Sequence, residues 1–289
     1  MKSLLPLILL LVLIGLSSCG DTGTDTKRAA KRPVSYVLLL DLSDRLLLPN
    51  QATDDIALIQ MVFEQFQQRV VKQNLVINSH DKFRVVIAPQ KGIGYDPASY
   101  MTRLYIDMDK IPMAQKRLKL EAFANSLRAT LLSLYGEARL GRDRTDAYAG
   151  CDLWRYFNEQ LATDMASTAD NKLIVLTDGY FDFEQNAYIK QQRNRSTSTS
   201  FIPKLRGQTD WQAAMKNEDW GLVPVQPKFS SLAVAVAEIS PKSQHLDESA
   251  ILKAVWVKWL TEMNVNQPTC IIRNNQSKSK ALLQQFIQL

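Results

Sequence analysis

The sequence predicts an α/β fold: a three-layer, Rossmann-like, open and mostly parallel sheet flanked by helices. Three observations predict it. The runs Val34–Leu40 and Leu173–Leu176 are continuously apolar, as strands buried on both faces should be. Between such runs lie segments whose apolar residues recur at helical spacing. From Pro33 onward strand and helix alternate, the pattern of a parallel sheet with helical crossovers.

Taken in order, Val34–Leu40 is the first strand. Asp54–Val71 is a helix, with Ile56, Ile59, Val62, Phe63, Phe66 and Val70 on one face. Phe83–Ala88 is a strand closed by Pro89, and Tyr100–Met108 is a third, with a poor period. Ala114–Leu134 has helical composition. Thr145–Leu161 is predicted helical, with Trp154, Phe157 and Leu161 together. Lys172–Thr177 and Leu232–Ile239 are strands. Ile251–Met263 is a helix carrying Val255, Trp256, Trp259 and Leu260. Thr269–Ile272 is a short last strand, and Ala281–Leu289 a closing helix. The stretch 181–230 is long for a connection. Its polar run Gln191–Ser200 reads as mobile, and Trp211, Met215 and Trp220 suggest a short packing helix. Loops after parallel strands commonly carry function.

The 289 residues are 46% apolar and 22% charged, with a formal charge of +6. That balance is globular and excludes a disordered, collagen-like or multi-span membrane chain. Three Cys are too few for a disulfide scaffold, and two His make a His-rich metal site improbable. Cys151 and Cys270 lie in apolar segments and read as free thiols rather than a bridge. His80 and His245 stand in polar stretches and read as surface residues.

The N-terminus carries Lys2, an apolar run Leu4–Leu16, then Leu16-Ser17-Ser18-Cys19-Gly20. The run is short for a spanning helix and ends in small residues, as a secretory signal does. It resembles a bacterial lipoprotein signal, which implies cleavage before Cys19 and its lipidation. On that basis residues 1–18 are a signal peptide, 19–32 a lipidated Cys and flexible tether, and 33–289 the folded domain. The tether ends in Lys27-Arg28-Ala29-Ala30-Lys31-Arg32. The expected location is the bacterial cell envelope, periplasm-facing or at the cell surface. The membrane is then one partner, through lipid on Cys19, and nucleic acid is not expected.

Chemistry concentrates at two strand ends. The first strand runs into Asp41-Leu42-Ser43-Asp44-Arg45, and the strand at 172–177 ends in Thr177-Asp178-Gly179. In open α/β sheets these ends line the ligand crevice. Asp41 and Ser43 project the same way if the strand persists. Thr145, followed by Asp146, is a third oxygen donor, preferred over Thr130 and Thr163. Carboxylates and hydroxyls from separate loops suit a hard cation such as Mg²⁺, with Ca²⁺ or Mn²⁺ as alternatives.

These motifs resemble the von Willebrand factor type A domain, whose metal-ion-dependent adhesion site combines Asp-x-Ser-x-Ser, a Thr from a later loop, and an Asp in Thr-Asp-Gly. The resemblance spans nearly the whole domain. It implies metal ligation by Asp41, Ser43, Thr145 and Asp178, and a protein partner that completes the coordination with an acidic residue. Arg45 departs from the pattern by replacing the second Ser. A guanidinium cannot ligate a cation. Either Arg45 points away and water fills its position, or the metal is lost and Arg45 pairs with Asp41 or Asp178; Asp44 beside it is a modulating residue. The chain shows no Gly-x-Ser-x-Gly elbow, phosphate-binding Gly loop or Cys-x-x-Cys. The expected function is a membrane-anchored, non-enzymatic protein-interaction module. A metal-free structural envelope lipoprotein with Arg45 in the site is the second reading, and a metal-dependent hydrolase the third.

Overall fold

The computed structural model describes residues 32–73, 75–183 and 191–288. The expected signal peptide, Cys19 and the part of the expected tether before Arg32 lie outside them. Among the described residues, nine strands and nine α-helices follow in chain order. They are β1 (Val34–Leu40), α1 (Gln51–Gln68), β2 (Lys82–Ile87), α2 (Pro97–Arg103), β3 (Tyr105–Asp107), α3 (Lys116–Arg139), α4 (Leu153–Arg155), α5 (Leu161–Asp164) and β4 (Asp170–Leu176). Then come β5 (Gln191–Gln192), β6 (Arg195–Ser196), α6 (Ile202–Arg206), α7 (Trp211–Asn217), β7 (Gly221–Leu222), β8 (Leu232–Ile239), α8 (Glu248–Glu262), β9 (Thr269–Ile272) and α9 (Gln276–Gln288).

Six strands form the central sheet in the order β3-β2-β1-β4-β8-β9. All neighbours are parallel except the β2–β3 pair. Strand alternation divides the core into two layers. Tyr36, Leu38 and Leu40 face α1, α3 and α9, whereas Val37 and Leu39 face α8 and the α4–α5 segment. Both layers are dry because β1, flanked by β2 and β4, is buried at every position. Each buried aliphatic side chain there contributes roughly 1.5–3 kcal/mol relative to exposure. Among the described residues no helix is long and apolar enough to cross a membrane.

The three-layer α/β architecture is as expected, and three local expectations need correction. Tyr100 lies in α2, not in a strand. Asp96 caps that helix by accepting from the Ala98 N–H, and Pro97 stands at its first turn, where its missing N–H is harmless. Only Tyr105–Asp107 is extended. The helix predicted from Thr145 begins at Leu153 instead. Thr145–Ala147 makes one isolated turn, Gly150 takes φ +75°, and Asp152 caps the helix at the Arg155 N–H. A Cβ at Gly150 would meet the Asp182 carbonyl at 3.0 Å, so the break is built in. The polar run 191–200 is ordered where it is apolar-poor: Ser196, Ser198 and Thr199 are buried, and their hydroxyls bond to one another and to Asp182. The short helix expected around Trp211 is α7.

Candidate functional site

The strand order reverses direction about β1, so the crevice opens between the C-terminal ends of β1 and β4. Asp41 and Asp178 meet there, both buried. Asp41 Oδ1 accepts from the Ser43 N–H at 3.0 Å, and Oδ2 accepts from the Thr177 hydroxyl at 2.7 Å. Thr177 Oγ1 in turn accepts from the Gly179 N–H at 3.1 Å. Thr177 therefore staples the two strand ends together, a role the Thr-Asp-Gly motif did not announce. Gly179 takes φ +98°, and a Cβ there would lie 3.2 Å from Ile239. Its carbonyl accepts from the buried Trp256 indole at 2.9 Å.

Arg45 points away from this crevice. Its guanidinium grips Asp55 of α1 through two bonds of 2.7 and 3.1 Å, and donates at 3.2 Å to the Asp41 backbone carbonyl, not its carboxylate. Asp55 also accepts from Gln51 at 2.9 Å and from the Tyr135 hydroxyl at 2.8 Å. Both side chains of the ion pair are fully buried. Burial opposes the Arg45 charge, but the Asp55 carboxylate overcomes that and holds its pKa above the usual value. The expectation that Arg45 could pair with Asp41 or Asp178 is thus corrected: the 3-10 turn Asp44–Leu47 sends Asp44 toward the crevice and Arg45 into the core.

The cation in the crevice is Lys242, from the segment after β8. Its ammonium lies 2.7 Å from Asp182, 3.1 Å from Asp44 and 3.3 Å from Asp178. It also sits 5.1 Å from the Tyr180 ring centroid, a cation–π distance. Tyr180 fixes the segment, since its hydroxyl accepts from the Lys242 N–H at 3.0 Å and donates to Glu248 at 2.7 Å. Arg206 of α6 holds the other Glu248 oxygen at 3.2 Å. Burial opposes the Lys242 charge, but Asp178, Asp182 and Asp44 together push its pKa well above the ordinary range. Asp178 moves the other way for a carboxyl. Burial and the neighbouring Asp41 raise it to about 7, against the pull of Lys242. Its Oδ1 accepts from the Tyr180 N–H at 3.0 Å, while the buried Oδ2 has the ion pair but no hydrogen bond.

Of the predicted donors, Asp41 and Asp178 come together and Ser43 joins them through its backbone N–H, Asp44, expected to modulate the site, shares Lys242 with Asp178, and Thr145 does not join them by any described bond. Its turn packs beside Asp44–Leu47, but the side chain is exposed. As folded, this set does not fit a divalent ion. Both Asp41 oxygens are engaged, and the free Asp178 oxygen faces an ammonium. Among the described residues no group of three His, Cys, Asp or Glu side chains is arranged to hold a metal. A cleft of about 280 Å³ adjoins Lys242, lined by Asp182, Thr199, Arg206 and Glu248 among others. Cys151 is buried with its thiol on the Asp41 carboxylate. Burial and that carboxylate push its pKa well above the usual value. Cys151 and Cys270 are both free thiols.

No family model matches this chain, and no curated protein matches it. Among solved structures it is similar to the pilus adhesin SpaC from Lactobacillus rhamnosus GG in an open conformation. The identity is 10% and the TM-score 0.43, over 89% of this chain and 30% of the adhesin. The chain thus spans under a third of the adhesin's length, and the likeness carries no argument about function.

Proposed function

We propose that this is a non-enzymatic protein-interaction module of the bacterial cell envelope, anchored through Cys19, that works without a metal ion. The observation that carries the reading is the Lys242 ammonium among Asp44, Asp178 and Asp182. One of the ligands that the resemblance to type A domains implies, Asp178, is thereby paired with an ammonium. A tethered ammonium neutralises the carboxylates but offers no open coordination position, so a partner cannot complete a metal shell. Three carboxylates (Asp44, Asp178, Asp182) lie against one ammonium, and the excess negative charge favours a partner that brings a basic or hydrogen-bond-donating group rather than an acidic one. Among the described residues the crevice brings no imidazole to its carboxylates: His80 and His245 are surface residues, His80 paired with Asp109 at 2.6 Å, and burial favours the protonated form of the Cys151 thiol.

Thermal melting of the wild type in EDTA and then with Mg²⁺, Ca²⁺ or Mn²⁺ tests this. An ion bound only by the folded state would raise Tm by mass action. No shift is expected in the wild type. A saturable shift that disappears in Asp41→Ala would overturn the metal-free reading and restore Asp41, Ser43, Thr145 and Asp178 as ligands.

A further inference from the structure

The crevice occupies one end of the sheet, and the described chain enters at the other. Arg32 pairs there with Asp170 at 3.4 Å, and its carbonyl accepts from Arg69 just past α1. Beside this entry four apolar side chains stand in solvent: Val71 (46% exposed), Leu75 (68%), Ile77 (46%) and Met113 (61%). One backbone bond and the Lys116 ammonium fix Val76, Ile77 and Ser79 in place. The Val76 N–H donates to the Val70 carbonyl at 2.9 Å, and Lys116 of α3 donates to the carbonyls of Ile77 at 3.0 Å and Ser79 at 2.7 Å. Leu75 and Val76 both have positive φ, 50° and 51°. A branched residue there is strained, and the strained turn presents Leu75 outward. Lys72, Lys110 and Arg117, close to these residues in the sequence, are exposed.

We infer that this end docks on an anionic phospholipid surface. Apolar side chains enter the headgroup boundary while neighbouring bases meet anionic lipids. The position of the chain entry selects that occupant. Twelve residues, Gly20–Lys31, separate Cys19 from the described fold, a reach of at most about 40 Å. This inference rests on the reading of Cys19 as the lipid anchor. The lipid on Cys19 would hold the chain at the bilayer, and an interfacial contact of the fold would set which end faces it. The crevice with Lys242, at the opposite strand ends, then faces away from the bilayer.

The test uses the chain from Gly20 to Leu289 without lipid, which retains the whole described fold and both core layers. It is floated with vesicles of phosphatidylcholine alone or mixed with phosphatidylglycerol. Binding to the mixed vesicles only is expected. The triple variant Leu75→Glu/Ile77→Glu/Met113→Glu should lower the partition coefficient about tenfold or more, with an unchanged circular dichroism spectrum. Leu140→Glu, an equally exposed apolar site at the far end of α3, should bind as the wild type does. No binding to mixed vesicles, or equal binding by the triple variant, overturns the inference. So does a dimer of the wild type that the triple variant dissociates, since a second copy would then cover the face. Incorporation of labelled fatty acid into the full chain, compared with Cys19→Ser, tests the anchor separately. Its failure would leave the vesicle result standing.

Discussion

Arg45 and Lys242 are two cations at the same end of one sheet, and they do opposite things. Arg45 finds Asp55 ten residues away, and the pair closes into the core with no solvent contact. Lys242 reaches Asp44 across 198 residues and keeps 39% of its side chain exposed. The first pair is a strut between β1, α1 and α3, through Tyr135. The second is a surface group that a partner or solvent can reach. A buried cation with a satisfied partner fixes structure, whereas a half-exposed one beside excess carboxylates remains open to further contact.

The comparison breaks first at Asp55. Asp55→Ala strands the Arg45 guanidinium and should cost about 3–5 kcal/mol in urea unfolding. A loss below about 1 kcal/mol would mean that the strut is no strut. Next is pH. Asp178 has its pKa raised by burial from 3.8 to about 7, so the native state binds a proton that the unfolded state has released. Stability should therefore fall as pH rises through that window. The difference between about pH 5.5 and pH 8 should be about 2 kcal/mol, and Asp178→Asn should flatten it. Equal slopes in both proteins would remove Asp178 from the account.

Smaller effects sharpen the contrast. Lys242→Met should destabilise by about 1 kcal/mol, because its partial exposure screens the pairing. The same variant leaves the carboxylates unneutralised, so Mg²⁺ should then raise Tm where it did not in the wild type. A variant indifferent to Mg²⁺ would show that the carboxylates are too rigidly bonded to accept an ion. Smallest is Tyr135→Phe, which removes one of the hydrogen bonds on Asp55 and should cost about 1 kcal/mol or less by thermal melting.

Much of the fold was legible. Val34–Leu40, Leu232–Ile239 and Thr269–Ile272 are the strands at the bounds the apolar runs indicated; the first two are buried almost throughout, with Ser35 and Glu238 as their polar interruptions, and the third is a half-buried edge strand. Asp41, Ser43 and Asp178 were legible as a crevice because parallel strand ends converge. The helix start at Thr145 was misplaced because a Thr-Asp pair signals a cap whether or not the chain continues, and Gly150 interrupts it. Lys242 carried no motif. Its signal was only that it follows another parallel strand, three residues past Ile239.

By itself the sequence determined the alternation of buried strand and amphipathic helix, and with it the end of the sheet where the acids gather. Hydrophobic periodicity is local, and a strand's neighbours need not be known to see it. Only the tertiary structure decided which cation meets which carboxylate. Arg45, adjacent to the site in sequence, was turned into the core by one 3-10 turn. Lys242 was delivered by the loop after β8. Ion pairing falls off with distance in space, and distance in space between residues 44 and 242 is fixed only once β1, β4 and β8 lie side by side.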